Sequence, residues 1–241
     1  ALFKDRCATT VELADWTAMY YIDVQPRGED LAAHVSDAVK PALGAPREVV
    51  TAANLQVLAF DWFQGHRHVL TNVAVKTPAD LKGVRVRTPG APVWLETVRA
   101  MGATPTGMPW SEVYSALQTR VIDGAEAQHP AVYGARLYEV VKIITKTEHI
   151  YLITGIVTSR AWFDKLPADQ QKILSEESFA AGRWASEATI ASLADYEKKL
   201  REKGVTIVEI DKTPFKAATA GVYQTLGYSD LRKDVDKALG K

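Results

Sequence analysis

The chain has 241 residues, enough for one large domain or two small ones, and 47% of them are hydrophobic, enough to fill a core. Its 29 basic residues balance its 29 acidic ones, so no charge argument favours nucleic acid or an anionic membrane as partner. Cys7 is the single cysteine, which excludes a disulfide framework and a cysteine metal cluster, and no apolar run approaches the length of a membrane span.

In chain order, Ala1–Ala14 reads as a helix and Trp16–Val24, rich in aromatic and β-branched residues, as a strand. Asp30–Leu43 reads as a helix ended by Gly44 before Pro46, and Leu55–Phe63 as a buried strand. A turn is expected at Gly65–His68. His66 and His68 have no acidic or cysteine partner at ligand spacing, so they are expected as turn and surface residues and no metal is expected.

The best-punctuated stretch is Lys76–Pro130. Thr77 caps a short helix with Pro78 at its first position and Asp80 at its third, and Gly83 ends it. Val84–Thr88 alternates as a strand, both valines on one face and both arginines on the other. Pro89–Pro92 breaks the strand and opens a helix that closes at Met101-Gly102. Thr104–Pro109 is expected as a short crossing. Ser111 is expected to cap a helix over Glu112–Thr119, and Asp123-Gly124 to turn the chain.

Beyond it, Ala131–Val141 reads as one helix, and Lys142–His149 and Tyr151–Thr158 as two β-rich runs, with His149 and Tyr151 assigned to packing. Pro167–Lys203 has no internal proline. Ile173, Phe179, Trp184, Ala188, Leu193, Tyr196 and Leu200 recur near helical spacing, without a sustained heptad. About 35 residues make a helix of roughly 50 Å, longer than a small lobe is wide. A strand over Val205–Ile210 and two short helices finish the chain.

Arg87 carries the chemistry of the central stretch. It stands at the carboxyl end of a strand, before a loop and a helix start, which is where open α/β sheets bind ligands. The helix start offers free amides, and the guanidinium offers a planar fork for a carboxylate. Spacing alone also allows a solvated arginine on an exposed strand face. Trp94, in the first turns of the next helix, is assigned to packing, Asp123 to the turn, and Glu126 to a supporting or interlobe role.

DLKGVRVRTP (80–89), then GATPTGMPWSEVYSALQTRVIDGAE (102–126), resembles the solute-binding proteins of TRAP transporters, and the likeness runs through WFDKLPADQQKIL (162–174) and the long helix, over roughly Ala59–Phe215. The resemblance implies a two-lobe α/β periplasmic solute-binding fold with a long helix spanning both lobes. The lobes would be 1–64 plus 151–192, short of part of its N-terminal unit, and 65–150 plus 193–241. It implies a receptor, not an enzyme, exported with a signal peptide since removed, that binds a small organic acid in the cleft and delivers it to membrane subunits. Neither cofactor nor metal is implied. Ligand-binding roles fall on Arg87, Arg67, Trp110, Pro89, Ala127 and Gln128, with Arg87 as carboxylate anchor, Arg67 assisting and Trp110 covering the ligand's body.

Two departures stand out. Sialic-acid-binding members have asparagine where this chain has Ala127, which directs the expectation to another carboxylate, apolar or aromatic. Arg120 replaces a family glycine and would be strained at positive φ. The rival readings are a periplasmic α/β enzyme acting on a small carboxylate and a transporter-independent carboxylate sensor. Against the enzyme, the chain has no G-x-S-x-G, H-E-x-x-H or glycine-rich phosphate loop.

Overall fold

The computed structural model describes residues 55–230 and 232–233, so the elements expected over 1–14, 16–24 and 30–43 lie outside the described residues. Two long strands carry the sheet. β1 (Leu55–Thr71) and β5 (Ile143–Ser159) have 17 residues each and pair antiparallel along their lengths. The sequence reading ends the first at Phe63, with a turn at Gly65–His68, and divides the second in two; the structure keeps both continuous. Gly65 takes φ +108° inside β1, and Glu148 takes φ +48° inside β5. The register shifts between Phe63 and Gly65 and again between Arg67 and Val69. A bulge bends a strand without ending it, so what reads as turn chemistry is bulge chemistry here.

Short strands flank this pair: β2 (Arg85–Thr88), β3 (Thr104–Gly107), β4 (Gly124–Ala127) and β6 (Thr206–Val208). The sheet order is β3-β2-β4-β1-β5-β6. β2 runs parallel to both β3 and β4, β4 is antiparallel to β1, and β6 is parallel to β5. The expected crossing at Thr104–Pro109 is therefore mostly a strand, recruited because Val84 C=O and the β2 backbone supply its partners.

α1 (Pro92–Ala100) follows β2 as expected. Thr77 and Asp80 form the expected capping box, on a single 3₁₀ turn, and Gly83 follows at φ +81°. The helix expected from Ser111 differs. Trp110–Glu112 is a 3₁₀ turn, α2 is Val113–Gln118, and no side chain caps either. Ala131–Val141 is also two pieces, α3 (His129–Gly134) and a 3₁₀ turn at Leu137–Glu139, broken where Arg136 turns left-handed at φ +55°.

After α4 (Arg160–Phe163) comes α5 (Ala168–Glu202), 35 residues long as the sequence indicates. Its apolar positions do not form one buried stripe. Trp184 is 72% exposed and Ile173 is also exposed, while Gly182, Ser186 and Leu200 are buried. Gly182 lets α5 approach β1, since a Cβ there would overlap the Asp61 carboxylate. The Ser186 hydroxyl accepts from Phe63 N–H and donates to Asp61 C=O, both at 2.8 Å. α6 (Thr213–Thr219) and α7 (Val222–Thr225) follow.

Leu70, Val113, Leu117, Ile122, Ile144 and Leu200 form one core, and Val69, Val86, Met101 and Phe215 another. Trp94 packs with Val93 and Ile150, as expected, and Tyr151 stacks on Phe63 at 4.2 Å between ring centres. Among the described residues no helix is long and apolar enough to cross a membrane.

Candidate functional site

The carboxyl ends of β2 and β4, parallel neighbours with Arg87 opposite Ala125, meet β1 at the level of Arg67. This edge gathers two arginines and one carboxylate. Glu126 is 0% exposed; alternation along β4 turns its side chain away from the core that Ala125 and Ala127 fill. Arg67 is bound to it through two nitrogens. Nε pairs with Oε2, and Nη2 donates to Oε1 at 2.7 Å and to the Glu126 carbonyl at 2.7 Å. Nη1 donates to Gln128 Oε1 at 2.9 Å, and the guanidinium carbon lies 4.6 Å from the Trp94 ring centre. Thr88 Oγ1 donates to Glu126 Oε1 at 3.1 Å.

Burial pushes the Glu126 carboxyl up, but Arg67 and then His149 hold it below the ordinary glutamate value, so it is ionised at neutral pH. His149 is wholly buried, with Nδ1 2.7 Å from Thr147 Oγ1 and Nε2 3.6 Å from Glu126, beyond hydrogen-bond reach.

Arg87 is different. It is 3% exposed, and Nε and Nη2 both donate to the Met108 carbonyl, at 2.9 and 2.6 Å. It has no ion pair among the described residues, and Nη1 has no partner there. Its guanidinium carbon lies 5.3 Å from the ring centre of Trp110, which is 38% exposed. Burial pulls its pKa down to about 10; Glu126 opposes this and Arg67 adds to it. Arg87 therefore stays charged at neutral pH. Glu126 pairs with Arg67 alone, so among the described residues this edge keeps one positive charge in excess, on Arg87.

Of the six residues expected at the ligand, Arg87, Arg67, Trp110 and Gln128 gather around this edge, and Pro89 is half-buried just after Arg87. Ala127 is a correction. It is wholly buried, packed with Leu70, Val113 and Val132, because alternation puts it on the face opposite Glu126. The absence of an asparagine side chain there therefore says little about the ligand. His68 is a second correction. It is buried, its ring 4.6 Å from that of His129, rather than at the surface. The sequence reading also missed Thr88 and the Met108 carbonyl. No motif signals a main-chain acceptor, and Thr88 shows only as a hydroxyl beside the arginine.

Two buried arginines and one buried glutamate at the carboxyl edge of a mixed α/β sheet, with the Trp110 ring over Arg87, have the chemistry to hold a small anion. The chain belongs to bacterial extracellular solute-binding protein family 7, whose sequence profile matches residues 41–230. It is 33% identical over 184 residues to the 2,3-diketo-L-gulonate-binding periplasmic protein YiaO of Escherichia coli, covering 76% of this chain and 56% of that one. It is 28% identical over 216 residues to a solute-binding protein of Roseobacter denitrificans, covering 89% and 66%. The chain thus spans between half and two-thirds of these relatives' lengths. Among solved structures, a TRAP periplasmic solute-binding protein of Actinobacillus succinogenes with bound L-galactonate superposes with a TM-score of 0.85 at 26% identity, covering 97% of this chain and 77% of that one. An open, ligand-free TRAP protein of Escherichia fergusonii is 43% identical, with a TM-score of 0.75, covering 86% and 70%. The fold is the α/β two-lobe fold of these periplasmic proteins.

Proposed function

We propose that this chain is an extracytoplasmic, periplasmic receptor that binds a small organic acid and hands it to the membrane subunits of a TRAP-type transporter. One observation carries the reading: Arg87 is a buried, charged guanidinium with no carboxylate of its own among the described residues. Burying an unpaired charge costs several kcal/mol, and a bound carboxylate offsets that cost. Arg87 is the anchor, its Nη1 end left for the acid while Nε and Nη2 hold the Met108 carbonyl; Trp110 covers the ligand's body; Arg67, already neutralised by Glu126, supports the site. Relatives point the same way, since YiaO is named for a keto acid of a sugar and a Pseudomonas putida TRAP protein holds D-glucuronate.

We further propose that the lobe boundaries lie at 64/65, 150/151 and 192/193. The three boundaries fall at one level, where Gly65 pairs with Leu152 and its Cβ position lies 3.4 Å from Leu193. The test is a thermal-shift screen of organic acids with recovery of each ligand. A bound acid at ~100 times its Kd stabilises by about 2.7 kcal/mol, which for a chain of this size is roughly 5–10 °C. A panel of carboxylates without a shift sinks the receptor reading, and an acid recovered chemically changed over many turnovers replaces it with an enzyme.

A further inference from the structure

Gln128 does not do what its position invites. It is the N-cap residue of α3, a place favoured by side chains short enough to accept from the first helical amides, and it makes no such bond. The side chain instead reaches across to β1, where Oε1 accepts from Arg67 Nη1 at 2.9 Å. Arginine has no acceptor, so this contact fixes which end of the amide faces Arg67. The NH₂ end is left over, a two-hydrogen donor with no partner among the described residues.

The placement is built rather than incidental. Gln128 Cβ lies 3.3 Å from where a Cβ on Gly65 would be, so the glycine makes room for it, and Leu193 closes the other side of that space. Arg67 is held in turn by Glu126 and by the Trp94 face. Gln128 also follows directly on β4, whose carboxyl end lies beside that of β2, the strand that ends with Arg87.

We propose that Gln128 is the specificity-determining residue of this site, its oriented NH₂ donating to a hydroxyl or carbonyl oxygen of the ligand and so selecting hydroxylated acids over bare ones. The proposal rests on the receptor reading above. It replaces the apolar carboxylate expected from Ala127, whose methyl group lies in the core. A carboxylate held by Arg87 satisfies the charge of the site and leaves the amide for a neutral oxygen on the ligand's body. An alkyl chain there strands the donor away from water, which is how a hydrogen-bonding pocket rejects an analogue lacking the group.

The test is calorimetric binding of L-galactonate, D-glucuronate and hexanoate to the full chain and to Gln128→Met, which keeps the length and flexibility of the side chain without its amide. The parent should prefer at least one sugar acid to hexanoate. Gln128→Met should cut that preference roughly tenfold and leave hexanoate affinity unmoved. If Gln128→Met does not fold, Gln128→Glu keeps an acceptor for Arg67, removes the donor, and is read by the same ratio. A parent that prefers hexanoate, or a variant that shifts all three acids by one factor, overturns the proposal and leaves the receptor reading standing. A parent that binds none of the three, nor any acid in the wider screen, removes both.

Discussion

Replacing Arg87 with methionine separates an anchor from a structural arginine. In the unliganded protein the side chain is almost wholly buried, its guanidinium pulled to about 10 chiefly by burial. A displacement of that size corresponds to about 3 kcal/mol of unfavourable burial in the charged form. The two donors share one acceptor, the Met108 carbonyl, and counted as a single charged hydrogen bond they return about 1.5–3 kcal/mol. The two nearly cancel, so Arg87→Met should leave unliganded stability within about 1 kcal/mol of the parent, or roughly 2–4 °C in Tm. Binding responds differently. Without the guanidinium, the ligand's carboxylate is buried unpaired, at about 3–5 kcal/mol, a hundred- to several-thousand-fold loss in affinity. Arg87→Lys retains charge without the fork and should recover only part of it. Calorimetric Kd and unliganded melting temperature, measured on both variants, decide the matter. A loss smaller than tenfold, or an unliganded Tm lower by more than about 8 °C, refutes the reasoning and makes Arg87 a structural residue.

Four further outcomes follow from the fold. Arg120 sits at φ +59°, so Arg120→Gly should raise stability by about 1 kcal/mol in urea titration, while the Arg120 carbonyl still accepts from Arg85. Gly182→Ala should cost about 1–3 kcal/mol, because the new methyl group displaces Asp61 or lifts α5 from β1. Burial lowers the His68 pKa well below its ordinary value and brings His129 to about 4, so both contribute stability above pH 6.5 that is lost as pH falls toward 4. Asp61, pushed up to about 6 by burial, acts oppositely, its contribution being present at low pH and lost as pH rises through 6. Asp61→Asn should therefore be more stable than the parent at pH 7.5 by about 1–3 kcal/mol, with the gap closing below pH 4 in pH-resolved melting curves.

The sequence made some of this legible and hid the rest for identifiable reasons. The stretch from Thr77 to Ala100 is set by local chemistry — a cap, a glycine, a strand alternation, a proline — and the structure follows it closely. The long helix was equally legible in extent but not in orientation. Its apolar spacing does not say which face meets the sheet, and the contact is made by Gly182 and Ser186, residues that no hydrophobic pattern marks. The sequence reading stops β1 at Phe63 and splits β5 because glycine and a charged run ordinarily end strands; here the long pairing with each other carries them through. At the site, Arg87 was readable from its place on the strand. That Glu126 neutralises Arg67 and leaves Arg87 alone was not, because the partners are 59 residues apart and meet only when β1 pairs with β4.

The Ser186 hydroxyl has a bearing on how the chain acquires its fold. The irregular segment of β1 leaves the Phe63 amide and the Asp61 carbonyl to a group 123 and 125 residues further on. Until α5 docks, those two main-chain groups have only water, so β1 cannot complete its buried ladder by pairing with β5 alone. Contacts this distant in sequence close slowly, since a long loop must lose its entropy before the bond forms. The strand and the helix thus become native together, in a late step. A chain still lacking its last third during synthesis exposes a bent, half-satisfied strand edge, the kind of surface that chaperones shield and that aggregation exploits.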